Sequence, residues 1–151
     1  MSIRVKLLTG NFAAEINGVN LYEKISERDF SDIKTAFEEY SILVFRDQPL
    51  TDEQQVVFSQ RFGDLENTIN SKQQGGAGKP VTVLTNVGKN GEVIAPEDRR
   101  MVFNTGNQMW HTDSSFKPIP AMMSLLSGRE VPPEGGGDGV CQYARCLRRF
   151  G

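Results

Sequence analysis

Alternating and β-branched positions open the chain. Arg4–Leu8 (RVKLL) and Glu15–Leu21 (EINGVNL) predict two short strands, with Asn17-Gly18 supplying a turn or bulge inside the second. The period then lengthens. In Glu27–Tyr40 the apolar residues Phe30, Ile33, Phe37 and Tyr40 recur at spacings of three and four, which places them on one face of a helix. Ser41–Phe45 (SILVF) is a continuous apolar run that predicts a buried strand, closed by Gln48-Pro49. Thr51 followed by Gln54 is a capping-box pattern. It predicts a second helix through Gln60 or Arg61, with Val56, Val57, Phe58 and Phe62 on its apolar face and Gly63 as its stop.

From Glu66 to Pro80 (ENTINSKQQGGAGKP) the chain is polar and rich in glycine, with too little apolar content to order itself by packing, and it reads as a mobile loop of the kind that covers sites. Val81–Val87 predicts a strand, Gly88–Gly91 a turn, Arg99–Asn107 an irregular approach, and Gln108–Asp113 a further strand. Ala121–Val131 is one more strand candidate before Pro132-Pro133 and three glycines. No internal repeat and no domain boundary stands out in this pattern.

Composition changes this picture little. At 151 residues, 38% apolar and 24% charged, the chain is long enough for one domain with a real core. A formal net charge of −2 leaves no basic field for nucleic acid or an anionic membrane, so neither partner is expected. Met1–Phe12 lacks a signal-peptide apolar run and no segment approaches the roughly 20 apolar residues of a bilayer span, which makes a cytoplasmic location the expectation. Nothing in the residues specifies an oligomeric state. Cys141 and Cys146 lack two further Cys or His ligands nearby and read as plain thiols, in keeping with a reducing compartment.

The chemistry concentrates in Asn107–Phe116 (NQMWHTDSSF), which holds the single histidine of the chain, one residue removed from an aspartate. Side chains two apart on a strand share a face, so His111 and Asp113 can reach one cation. An imidazole and a carboxylate, completed by a second imidazole, form the facial triad of non-haem iron(II) oxygenases. By itself a His-x-Asp is more often a histidine hydrogen-bonded at a strand end. Other candidates fail on chemistry. Gly75–Lys79 (GGAGK) lacks the leading glycine of a phosphate loop, with Gln73 in its place and Pro80 where Ser or Thr would hold magnesium. Ser114 and Ser115 are too close to His111 along a strand for a serine–histidine pair, and no nucleophile-elbow motif is present. Glu38, Glu39, Glu97 and Asp98 read as solvated charge.

Several separate segments resemble one family, that of taurine dioxygenase and 2,4-dichlorophenoxyacetate dioxygenase (TauD/TfdA). They are FAAEINGVNL at Phe12–Leu21, ILVFRDQPLTDEQQ at Ile42–Gln55, FSQRFGDLE at Phe58–Glu66, WHTDSSF at Trp110–Phe116 and VPPEGG at Val131–Gly136. SILVFRDQPL and WHTDSSF are most similar to the branch acting on phenoxyacetates and related carboxylates.

The resemblance implies a mainly β, α+β architecture, an incomplete double-stranded β-helix or jelly roll. It implies Fe(II) as metal and 2-oxoglutarate as co-substrate, with ascorbate supporting activity in the intact family. The reaction would be hydroxylation of a small carboxylate- or sulfonate-type organic substrate. Residue by residue, His111 and Asp113 match the first two iron ligands and Asn107 a position lining the substrate pocket. Trp110 reads as core packing, because alternation turns it from the metal face.

The departures set further expectations. With one histidine in total, a single copy cannot supply the triad's second imidazole. The family's co-substrate arginine, which follows that histidine, and its co-substrate threonine just after the glycines are also missing, Gly137-Asp138-Gly139 standing where the threonine belongs. The chain is therefore read as residues 1–136 from the N-terminal part of a dioxygenase domain, truncated and inactive as it stands, with residues 137–151 as a frameshifted tail. Reverse-translating GDGVCQYARCLRRFG and dropping one nucleotide permits ATEYASMRDAFDAL, which resembles the family and restores a threonine. A divergent natural terminus is the competing reading of the tail. A non-catalytic remnant and a small metal-binding module are the competing readings of the function.

Overall fold

A computed structural model describes residues 3–10, 12–66, 81–135 and 137–141. The glycine-rich segment expected as a mobile loop lies almost wholly outside them, as do Gly75–Lys79 and Cys146. Two compact units are present, one made of residues 1–58 with 127–151 and one of residues 59–126.

The first unit is built on a three-stranded sheet of order β1-β2-β3, formed by β1 (Arg4–Thr9), β2 (Ala13–Asn17) and β3 (Ile42–Val44). β1 pairs antiparallel with β2, with a bulge between Leu7 and Thr9, and β3 pairs parallel with β2. A parallel pair needs a crossover, and α1 (Glu27–Tyr40) supplies it, packing on β2 and β3. The second strand starts two residues before the expected Glu15 and ends at Asn17, because Gly18 at φ +85° turns the chain out of the sheet. β3 is shorter than the expected Ser41–Phe45 and half-buried, as befits an edge strand.

α1 has the bounds that its periodicity predicts. Ser26 Oγ accepts from Asp29 N at 3.1 Å, and Ser41, left-handed at φ +63°, closes the helix by donating to Phe37 O at 2.8 Å. Phe30 and Ile33 are buried with Ala36, while Phe37 and Tyr40 sit at the margin. α2 (Asp52–Gln60) opens on a reciprocal capping box: Gln54 N donates to Thr51 Oγ1 at 3.2 Å, and Thr51 N to Gln54 Oε1 at 2.9 Å. Its expected apolar face narrows to Phe58, since Val57 is 64% exposed and Val56 and Phe62 are half-buried. Phe58 meets Phe30 and Phe45 edge-on, at centroid distances of 6.4 and 6.1 Å. Such pairs add about 0.5–1.5 kcal/mol beyond the area they bury.

Two polar devices hold this unit. Glu15, on the central strand, accepts from Arg46 Nε at 3.2 Å, and that hydrogen bond, followed by one from Asn17, holds its carboxyl below the usual range. Gln48 accepts from Leu21 N at 2.8 Å and donates to Val19 O and Arg46 O, so it joins the segment after β2 to the one after β3.

In the second unit three strand expectations are corrected. Val81–Val87 forms a single bridge, Val87 to Val93, around the Gly88–Gly91 turn, and Ile94 is buried beside it. Gln108–Asp113 is irregular, with turn only at its two ends and no strand pairing. Ala121–Val131 is not a paired strand, although burial alternates residue by residue along 121–127. Arg99–Asn107, expected to be irregular, holds α3 (Arg99–Gly106). Its signal was legible: Asp98 at the start, whose carbonyl accepts from Met101 N and Val102 N, and Gly106 at the end. Asp98 is consequently half-buried, whereas Glu38, Glu39 and Glu97 are exposed as expected. The described residues thus combine three helices with three short strands, an α+β arrangement in which strands do not dominate.

Candidate metal centre

After α3 the backbone stays in turns, with Gln108 N donating to Thr105 O at 3.1 Å and Met109 N to Gly106 O at 3.2 Å. Asn107, in this turn, is exposed. His111 then bends back on its own chain: its Nδ1 lies 2.7 Å from Met109 O. A carbonyl oxygen accepts and cannot donate, so this contact places the proton of a neutral imidazole on Nδ1 and leaves the lone pair on Nε2. Nε2 stands 3.5 Å from Asp113 Oδ1. The two side chains meet without the strand that sequence spacing assumed.

The continuation of the chain explains how. Ser114 is left-handed at φ +56°, and a tight turn closes with Lys117 N donating to Ser114 O at 2.9 Å and Ser115 Oγ to Thr112 O at 3.2 Å. Asp113 is therefore presented at the head of a turn. Its second oxygen, Oδ2, accepts from Ser124 Oγ at 2.5 Å, which leaves Oδ1 directed at the imidazole. Across the turn, Glu66 accepts from Ser114 Oγ at 2.6 Å through Oε2 and from Lys117 Nζ through Oε1. Ser114 and Ser115 are thus occupied elsewhere and do not pair with His111, in keeping with their rejection as nucleophiles.

The donor set fits a divalent first-row cation in part. Imidazole nitrogen and carboxylate oxygen are the right donors, and ligand bonds of about 2.0–2.2 Å span a 3.5 Å separation comfortably. Both side chains are roughly half-exposed, at 48% and 57%, so the pair is open to solvent. Among the described residues no group of three His, Cys, Asp or Glu side chains comes together, so His111 and Asp113 act here as a pair. Cys141 is exposed. Trp110 is 75% exposed, which corrects its reading as core packing. Ser124, Glu66 and Lys117 carried no sequence signal, because Ser124 lies 11 residues from Asp113, and Glu66 48 and 51 residues from its two partners.

Comparison with known proteins adds the following. The family model described as taurine catabolism dioxygenase TauD, TfdA family matches residues 4–150. The alpha-ketoglutarate-dependent 2,4-dichlorophenoxyacetate dioxygenase of Cupriavidus pinatubonensis is 35% identical over 144 residues, covering 93% of this chain and 50% of its own length. The (S)-phenoxypropionate/alpha-ketoglutarate-dioxygenase of Sphingobium herbicidovorans is 34% identical over 134 residues, covering 87% and 42%. Among solved structures, AAD-2 in complex with Mn(II) and N-oxalylglycine is similar at a TM-score of 0.67 and 36% identity, over 80% of this chain and 40% of that one. The chain spans about half the length of the curated relatives it matches. Among the described residues no helix is long and apolar enough to cross a membrane.

Proposed function

Because the chain belongs to the taurine catabolism dioxygenase TauD, TfdA family, we propose that it carries the His-x-Asp part of the metal centre of an Fe(II)- and 2-oxoglutarate-dependent dioxygenase. The substrate class is a small carboxylate- or sulfonate-type organic molecule, and relatives named for dichlorophenoxyacetate and phenoxypropionate support aryloxy carboxylates within it. The double-stranded β-helix is the architecture this reading assigns to the family domain, supported by the likeness to AAD-2.

One observation carries the reading: the convergence of His111 Nε2 and Asp113 Oδ1 at 3.5 Å. Held by these two side chains, Fe(II) would supply hydroxylation of a C–H bond with dioxygen as the oxidant, one oxygen atom entering the product and the other the succinate left when 2-oxoglutarate loses carbon dioxide. The residues of the chain do the rest. Met109 O holds the imidazole, Ser124 holds one carboxylate oxygen, and the family resemblance assigns the exposed Asn107 to the substrate pocket. A single copy supplies two protein donors, so the chain by itself is catalytically incomplete in this reading. The competing readings are a non-catalytic remnant and a small metal-binding module, and the single histidine suits the first of these.

Titration of the chain with Mn(II), a redox-quiet substitute for Fe(II), tests the metal centre. Saturable binding that is lost in His111→Ala supports it. Equal binding by the wild type and His111→Ala overturns it.

A further inference from the structure

We propose that Glu66 is a positioning residue for Asp113, acting through the turn that Ser114 and Lys117 close. The inference rests on the reading of His111 and Asp113 as cation ligands and concerns how the second is held.

The two oxygens of Glu66 are divided between the two ends of one turn: Oε2 accepts from Ser114 Oγ at 2.6 Å, and Oε1 from Lys117 Nζ. Within the turn, Lys117 N donates to Ser114 O at 2.9 Å. Side-chain and main-chain bonds therefore brace the same four residues. The Glu66 and Lys117 side chains are 28% and 22% exposed, which removes much of the solvent screening that makes exposed ion pairs weak. Ser114 needs such a brace. It holds φ +56° without being glycine, a conformation that persists when its surroundings over-determine it. Asp113 immediately precedes Ser114, so relaxation of that dihedral would redirect the peptide plane between them and swing the carboxylate relative to His111.

Ser124 and Glu66 then have separate tasks. Ser124 acts on the carboxylate itself by holding Oδ2. Glu66 acts on the backbone that carries the carboxylate. Glu66 is contributed from 48 residues away, so the direction of Asp113 depends on a tertiary contact and not on the local sequence.

The 151-residue chain would be compared with Glu66→Ala, Glu66→Gln and Ser114→Ala by two readouts. These are amide hydrogen exchange of the metal-free protein and Mn(II) affinity by electron paramagnetic resonance. Loss of a group that orients a ligand typically costs about 10–100-fold in metal affinity. Glu66→Ala and Ser114→Ala are expected to weaken Mn(II) binding about tenfold and to raise exchange selectively at residues 113–117. Glu66→Gln keeps an acceptor for Ser114 and is expected to recover most of the affinity. Exchange that rises evenly over residues 81–126 marks a general loosening and overturns the proposal, as does wild-type affinity in Ser114→Ala. If the wild type shows no His111-dependent Mn(II) binding, the metal-centre reading fails by itself. Selective exchange at 113–117 then decides the role of Glu66 in holding the turn, for or against.

Discussion

His111 Nε2 faces Asp113 Oδ1 across 3.5 Å, and in the neutral-imidazole state neither atom carries a proton for the other. Nδ1 has its proton engaged with Met109 O, and Oδ2 of the aspartate is engaged with Ser124. Nε2 and Oδ1, the atoms not engaged by these partners, face one another, and a cation placed between them would be held by both.

The first prediction is that divalent metal binding follows this pair and not the thiols. His111→Ala and Asp113→Ala should each weaken Mn(II) binding at least about tenfold, given the cost of disturbing even outer-shell partners. Cys141→Ser should bind as the wild type does. Calorimetric titration of the three variants checks this, and binding that survives Asp113→Ala but is lost in Cys141→Ser contradicts it.

Ser124→Ala should release Oδ2 and let the carboxylate rotate, weakening Mn(II) binding by about 10-fold or more. Ser124→Thr keeps the hydroxyl and should stay near wild type. Identical affinity in all three proteins would show that the Ser124 bond does not orient Asp113.

The chain as given should show no substrate-dependent turnover, because one copy offers one imidazole where the proposed triad needs two. Succinate release would be measured with Fe(II), ascorbate and 2-oxoglutarate. Robust succinate that disappears in His111→Ala would sink this prediction and point to ligands shared between copies.

Glu15 should make the first unit acid-sensitive. Its carboxyl is held below its ordinary value of 4.5, chiefly by the hydrogen bond from Arg46. A depressed folded-state value means that the unfolded state takes up the proton first as pH falls. The stabilisation is therefore complete above about pH 4.5 and lost progressively below it, as pH falls through the folded-state value. Urea midpoints of the wild type and Glu15→Gln, measured from pH 6 down to pH 3, should converge on acidification. Parallel curves would remove Glu15 from the account.

Residues 137–151 are proposed to be a frameshifted segment, on the grounds of their abrupt change in character and the family-like string that a one-nucleotide shift permits. Sequencing of the gene should find that the shifted frame continues and encodes a distal histidine followed by an arginine. Absence of such a pair from the shifted frame would leave residues 137–151 as native sequence.

What the sequence determined by itself lies in short-range structure. Phe30, Ile33, Phe37 and Tyr40 mark α1 to the residue, and Thr51 with Gln54 marks the start of α2, because helix periodicity and caps depend on neighbours three or four positions away. The approach of His111 and Asp113 is equally local, since two positions of separation keep them close whether the segment is a strand or irregular. The strands expected at Val81–Val87, Gln108–Asp113 and Ala121–Val131 were not decided locally. An extended segment becomes a strand when another chain segment satisfies its backbone groups, and sequence spacing says nothing about which one does. Tertiary structure likewise decided the Glu15–Arg46 pair, the Gln48 bridge, the contact of Ser124 with Asp113 and those of Glu66 with Ser114 and Lys117. The long-range contacts among these join residues from 11 to 51 positions apart, where folding and not periodicity sets the distance.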